Sequence, residues 1–181
     1  MILRYLILAI PQVFLMLFSA LTGWITIAPF VKSDGHLPYP LRYWFEPTDS
    51  PAIGDEMYLA NEGAWAMKYP QWLRNYMLCY LWSCLRNPAY GFADMAGFDL
   101  YNPHDFDITG NPNIDVGDSG AVIGSLYRTV VNGDYREYFE YRKIFRWNSS
   151  YVCFIQLGWS LSSIEEGRKH LCVYIRPFCR G

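Results

Sequence analysis

Asp94, Asp99, Asp105, Asp107, Asp115 and Asp118 fall between Arg86 and Arg128, a stretch with no other Lys or Arg. Carboxylates at this density can hold a hard divalent cation through oxygen and so serve a metal-dependent hydrolase. Asn111, Asn113 and Asp115 begin the alternation of a calcium loop, but no glycine follows at its sixth position and no glutamate at its twelfth. Asp and Asn beside Pro and Gly build turns through local side-chain bonds, which explains the loop 94–118 more simply. Gly117-Asp118-Ser119-Gly120 has the residues that flank the nucleophile of chymotrypsin-like proteases. That serine needs a histidine base oriented by a buried aspartate. His104 lies fifteen residues upstream and His36 lies beside an apolar segment, so neither has the expected surroundings. The three histidines are scattered, and Cys79, Cys84, Cys153, Cys172 and Cys179 lack zinc spacing. No glycine-rich phosphate loop is present, and a net charge of −2 exerts no pull toward nucleic acid. We therefore expect no catalytic residue, metal site or cofactor.

The elements that position these residues begin with a 27-residue run, Tyr5 to Val31, free of Asp, Glu, Lys, Arg and His. About 20 apolar residues cross a hydrocarbon core ~30 Å thick, so residues 1–31 are predicted to form a single-pass transmembrane signal-anchor helix in contact with membrane lipid. A cleaved signal peptide fits less well, because apolar character continues through Trp24, Ile25, Ile27 and Phe30. Ser19, Thr22, Gly23 and Thr26 line one helix face with small residues, a pattern that suits contact with another helix, including a second copy of the chain. Pro11 falls inside the segment, and Pro29 is expected to end it. Arg4 on one side nearly balances Lys32 and Arg42 on the other. An odd cysteine count without a disulfide pattern suits a reducing compartment and places the globular part in the cytoplasm.

Behind the anchor, Pro38, Pro40, Pro47 and Pro51 make residues 32–56 an extended strap. Its aromatics Tyr39, Tyr43, Trp44 and Phe45 suit either a bilayer interface or packing on the domain. Residues 57–181 are expected to form one α+β domain. In it, Leu73, Tyr76, Met77, Tyr80, Leu81 and Cys84 recur at helical spacing after Pro70, in a helix that ends near Asn87-Pro88. The ten uncharged residues Tyr76–Leu85 are too few to span a membrane. Residues 135–147 alternate, with Tyr135, Phe139, Tyr141, Phe145 and Trp147 expected inward and Arg136, Glu140, Arg142 and Arg146 outward. Similar runs at 121–131, 151–161 and 171–175, with Asn132-Gly133 as a tight turn, complete a predicted four-stranded antiparallel meander packed on the amphipathic helix. Arg136, Arg142, Lys143 and Arg146, interleaved with Glu137 and Glu140, read as a solvated strand face.

The order of these pieces, with Arg42-Tyr43-Trp44-Phe45, Thr48-Asp49, Gly54-Asp55 and the block Arg86-Asn87-Pro88-Ala89-Tyr90-Gly91-Phe92, resembles an uncharacterised family of small tailed-bacteriophage proteins. The resemblance covers most of the chain, including Leu157-Gly158-Trp159 and Arg176-Pro177-Phe178. It implies expression in an infected bacterium and names no catalytic residue. Within these blocks the planar guanidinium of Arg86 can bond a carboxylate such as Asp49 or Asp55 and tie the strap to the helix end. Asn87 would then cap backbone, and Tyr90 and Phe92 would pack alongside. The expected function is binding of a host-envelope or membrane-associated target rather than catalysis; the rivals are a virion or assembly component and a metal-dependent hydrolase built on the loop 94–118.

Overall fold

The computed structural model describes residues 1–100, 106–109, 122–131, 134–148, 151–161 and 167–180. The chain divides into two compact units, Met1–Ala9 with Ala96–Gly181, and Ile10–Met95. Helix α1, Ile2–Thr26, contributes to both and ends ahead of Pro29.

In the first unit, strands β2 (Phe106–Thr109), β3 (Val122–Val131), β4 (Asp134–Arg146), β5 (Tyr151–Trp159) and β7 (Leu171–Arg180) form an antiparallel sheet in the order β2-β3-β4-β5-β7. Strands β1 (Phe98–Leu100) and β6 (Gly167–Lys169) form a separate antiparallel pair. The fold is α+β as expected, but the meander has five strands, not four, because β2 adds to the β3 edge. The helix after Pro70 belongs to the other unit. Val131 pairs with Asp134, while Asn132-Gly133 lie outside the described residues.

The inward face of β4 is the reverse of the expected one. Tyr138, Glu140 and Ile144 are buried, whereas Phe145 and Trp147 are exposed. Two large apolar side chains share the parity of the charges, and the acid among them is fully provided for. Glu140 Oε1 accepts from Arg142 Nε at 2.6 Å and Gln156 Nε2 at 2.5 Å, and Oε2 accepts from the Leu161 N–H at 2.8 Å. A buried carboxylate is tolerated when it is paired and hydrogen-bonded. Tyr138 stacks on Phe98, and Trp159 meets Tyr138 and Phe139 edge-on. The start of α1 joins this cluster: the Tyr5 ring lies 5.1 Å from Phe139, and its hydroxyl donates to the Cys172 carbonyl at 3.2 Å.

In the second unit, the rest of α1 packs on α4 (Gln71–Cys79) and the π-helical segment Tyr80–Arg86 that continues it. Tyr76 and Tyr80, one turn apart, donate their hydroxyls to the carbonyls of Trp24 at 2.9 Å and Ala20 at 3.2 Å. Ile27, Ala28, Leu37, Phe45, Ala52, Cys79 and Cys84 form one core, and Tyr58, Ala66, Leu78 and Trp82 another. The strap is not fully extended: Leu41–Phe45 forms a short helix, α2, after Pro40, since a proline is compatible with a helix start. The buried Glu46 fastens it by accepting from His36 Nδ1 at 2.5 Å, the Leu37 N–H at 2.7 Å and Arg42 Nε at 3.1 Å. Helices α3 (Glu56–Ala60) and α5 (Tyr90–Met95) complete the unit.

Candidate functional site

The end of the π-helical segment borders a cavity of about 230 Å³ in the second unit. Asp49 and Ser50 reach it from the strap, Asp55 from the start of α3, Trp82, Arg86 and Asn87 from the π-helical segment and its end, and Tyr90 from the start of α5, with Pro47 completing the wall. The wide turn is visible in the backbone, where the Asn87 N–H donates to the Trp82 carbonyl, five residues back, at 2.8 Å. Such π-helical turns are frequent at functional sites.

Five of the six residues singled out in the sequence, Asp49, Asp55, Arg86, Asn87 and Tyr90, thus line one cavity. Their bonding differs from the expectation. Arg86 Nη1 donates to Glu62 Oε2 at 2.6 Å, not to Asp49 or Asp55, and both members of that pair are largely exposed. Its guanidinium lies 5.1 Å from the Trp82 ring centre and 5.4 Å from that of Tyr58, a cation–π arrangement. Burial pushes the Tyr58 phenol upward; the Glu62 charge adds to this and Arg86 opposes it. Asp55 caps α3, accepting the Tyr58 N–H at 2.7 Å. A short polar side chain at an N-cap satisfies a donor that the helix leaves free. The Asn87 carbonyl accepts the Tyr90 N–H at 3.3 Å. Phe92 stands apart, stacked on Trp44 at 5.7 Å with the rings 6° from parallel.

Every residue from 1 to 181 matches one family of unknown function. The chain belongs to the DUF7338 family. No curated protein and no solved structure matches it.

Besides Pro47, two cavity residues of this DUF7338 protein were not anticipated, Ser50 and Trp82. Both are nearly buried, and Ser50 Oγ and Trp82 Nε1 have no hydrogen-bond partner. Trp82 was within reach of sequence reasoning, since it precedes Arg86 by one helical turn. From the acidic loop, Asp94 is buried and accepts from Thr48 Oγ1 at 2.6 Å and the Thr48 N–H at 3.3 Å. Asp99 pairs with Arg168 at 3.1 Å. Asp105, Asp115, Asp118 and the Gly117–Gly120 tetrapeptide lie outside the described residues. No group of three His, Cys, Asp or Glu able to hold a metal occurs among the described residues.

The small-residue face of α1 is divided. Ser19 and Gly23 lie against Cys84 of the same chain, with Ser19 Oγ 3.5 Å from the Cys84 carbonyl oxygen. Thr22 and Thr26 bond back to the carbonyls of Phe18 and Thr22 at 2.7 and 3.0 Å. The buried thiols Cys79 and Cys84 share a hydrogen bond, which raises the first well above the ordinary thiol range and lowers the second.

Proposed function

We propose that this DUF7338 protein is a membrane-bound binding protein, held to lipid by α1. The observation that carries this reading is the opposition of two faces on one helix. Leu3, Ile7, Ile10, Phe14, Leu17 and Leu21 recur at alternating steps of four and three and are all exposed. At 100° per residue they form one stripe. Tyr5, Ala9, Gln12, Ser19 and Gly23 form the opposite stripe and are buried. The fold thus uses one side of α1 and leaves the other as a continuous apolar surface, which marks a membrane or partner contact. With 25 residues and a mean hydropathy of 2.0 in its most apolar window, α1 is long and apolar enough to cross a bilayer. The resemblance to small tailed-bacteriophage proteins supports reading the membrane as that of an infected bacterium and the target as a host-envelope or membrane-associated molecule.

Removing residues 1–31 would strip Tyr5 and Ile27 from two cores, so point substitutions test the reading better. Wild-type protein is expected to float with phospholipid vesicles and resist a high-salt wash, while an Ile10→Lys, Phe14→Lys, Leu17→Lys variant remains folded and soluble. Recovery of the wild type in the soluble fraction would refute membrane attachment. Affinity capture from infected-cell membranes then reports the target: an enriched host envelope protein supports the reading, and phage structural proteins instead point to assembly.

A further inference from the structure

We infer that α1 does not cross the membrane but lies in its surface, with its exposed face sunk among the lipid chains of one leaflet and both ends on the same side. The inference rests on the membrane reading above and gives that contact its geometry. A crossing helix would centre the uncharged run Tyr5–Val31 on Phe18. The Phe18 ring lies 6.3 Å from that of Phe45 in α2, and Ser19, next to it, meets Cys84. Phe45 is followed by Glu46, which pairs with His36 and with Arg42 one turn earlier. Two residues beyond Cys84 comes Arg86, paired with Glu62. The side chains of Arg42, Arg86 and Glu62 are 44%, 47% and 62% exposed. A crossing α1 would carry these charges into a hydrocarbon layer whose half-thickness is only ~15 Å. Ionisable side chains turned to lipid are costly and rare. An in-plane helix avoids the conflict, because its buried face keeps the charged elements toward water while the opposite face meets lipid.

The chemistry of the exposed face selects lipid over protein as its occupant. The stripe from Leu3 to Leu21 is flanked by exposed Leu6, Val13 and Trp24 on one side and by Phe18 and Ile25 on the other. At 100° per residue these positions fill an arc of about 140°, with Tyr5, Ser19 and Gly23 opposite. No charged, amide or hydroxyl side chain falls in that arc. Its one polar hydrogen, on Trp24 Nε1, is already donated to the Leu21 carbonyl at 3.1 Å. A protein interface carries about one hydrogen bond per 100–200 Å², which this face cannot supply, whereas lipid chains require none. Close packing of two helices in a membrane uses small residues, and Ser19 and Gly23 are turned instead to Cys84 of the same chain. The face runs from Leu3 to Ile25, 22 residues or ~33 Å, without interruption, as a helix lying flat in one leaflet requires.

The test is a depth profile by spin-label EPR on the full chain, added to preformed sealed vesicles of phosphatidylethanolamine and phosphatidylglycerol. Labels are placed one at a time through Leu3→Cys, Ile10→Cys, Leu17→Cys and Ile25→Cys in a Cys179→Ser background; Cys79, Cys84, Cys153 and Cys172 are buried and escape the reagent. Collision with dissolved oxygen against a water-soluble nickel chelate reads the depth of each label. All four are expected ~5–10 Å below the headgroups and within about 5 Å of one another. In the same vesicles, external protease should remove an N-terminal tag and an impermeant maleimide should reach Ser33→Cys, both from outside. A profile deepest between Ile10 and Leu17, with one end protected, overturns the inference and leaves membrane attachment standing. Protein that stays unbound overturns both. Dipolar broadening between labels at Ile10 or Leu17, without contact with oxygen, assigns the face to a second copy of the chain and overturns the in-plane geometry.

Discussion

Gly23 of α1 and Cys84 of the π-helical segment meet so closely that a Cβ on Gly23 would stand 2.7 Å from Cys84 Sγ and 2.9 Å from Cys84 Cβ. Gly23→Ala therefore forces the two helical segments apart, at a cost of about 1–3 kcal/mol for overpacking. Thermal unfolding should show a fall in Tm of several degrees. Because this face lies against the chain's own helix, light scattering in detergent should give the same oligomeric state for variant and wild type. A change of oligomeric state without loss of stability would support the expectation of a contact between copies.

Gly91 allows α5 to sit on α2. A Cβ there would lie 2.5 Å from the Tyr43 carbonyl oxygen and 2.8 Å from that of Glu46. Both neighbours are backbone, so no side-chain rotation relieves the clash. Gly91→Ala should destabilise by at least ~2 kcal/mol, more than an alanine at exposed Met95, measured by denaturant midpoint.

Glu140 is the buried acid of the sheet unit, with its side chain 1% exposed and that of Arg142 14%. Glu140→Ala removes the carboxylate that accepts from Arg142 Nε, Gln156 Nε2 and the Leu161 N–H. Breaking a buried pair from one side costs about 3–5 kcal/mol, so hydrogen exchange should report β4 and β5 opening far more often.

Burial raises the Cys172 thiol far above its ordinary value, with the Glu140 charge adding to the effect. The folded chain therefore keeps a proton that the unfolded chain releases above about pH 8.5. The thiol's contribution is fully present below that pH and is lost progressively as pH rises toward the folded value. Stability measured between about pH 8 and 10 should fall, and Cys172→Ala should flatten part of that slope. Cys79, also raised, adds to the slope, and Cys84, lowered, opposes it. A slope unchanged in Cys172→Ala would exclude this thiol as a source.

The apolar run of α1, the helix after Pro70, the strands at 122–131, 134–146 and 151–159 and the first half of the one at 171–180 were legible because periodicity and charge act within a few residues. Strand β2 was not, since its four residues are too few for a pattern. The cluster around Arg86 was legible as residue types, but its partner was not. Glu62 lies on a different turn from the two aspartates considered, and which carboxylate is nearest depends on how α3 is set against α4.

Sequence alone determined where apolar length, prolines and alternation fall, and hence the long helix, the breaks and the antiparallel strands. Tertiary structure decided which face of each element is inside. In β4, the apolar count favoured one parity, yet the other is buried because Gln156 and Leu161, distant in the chain, satisfy Glu140. In α1, an uncharged run gained buried positions where Tyr5 met Phe139 and Gly23 met Cys84. The bonding of a buried polar group is set by neighbours brought together in folding, and local pattern does not encode them.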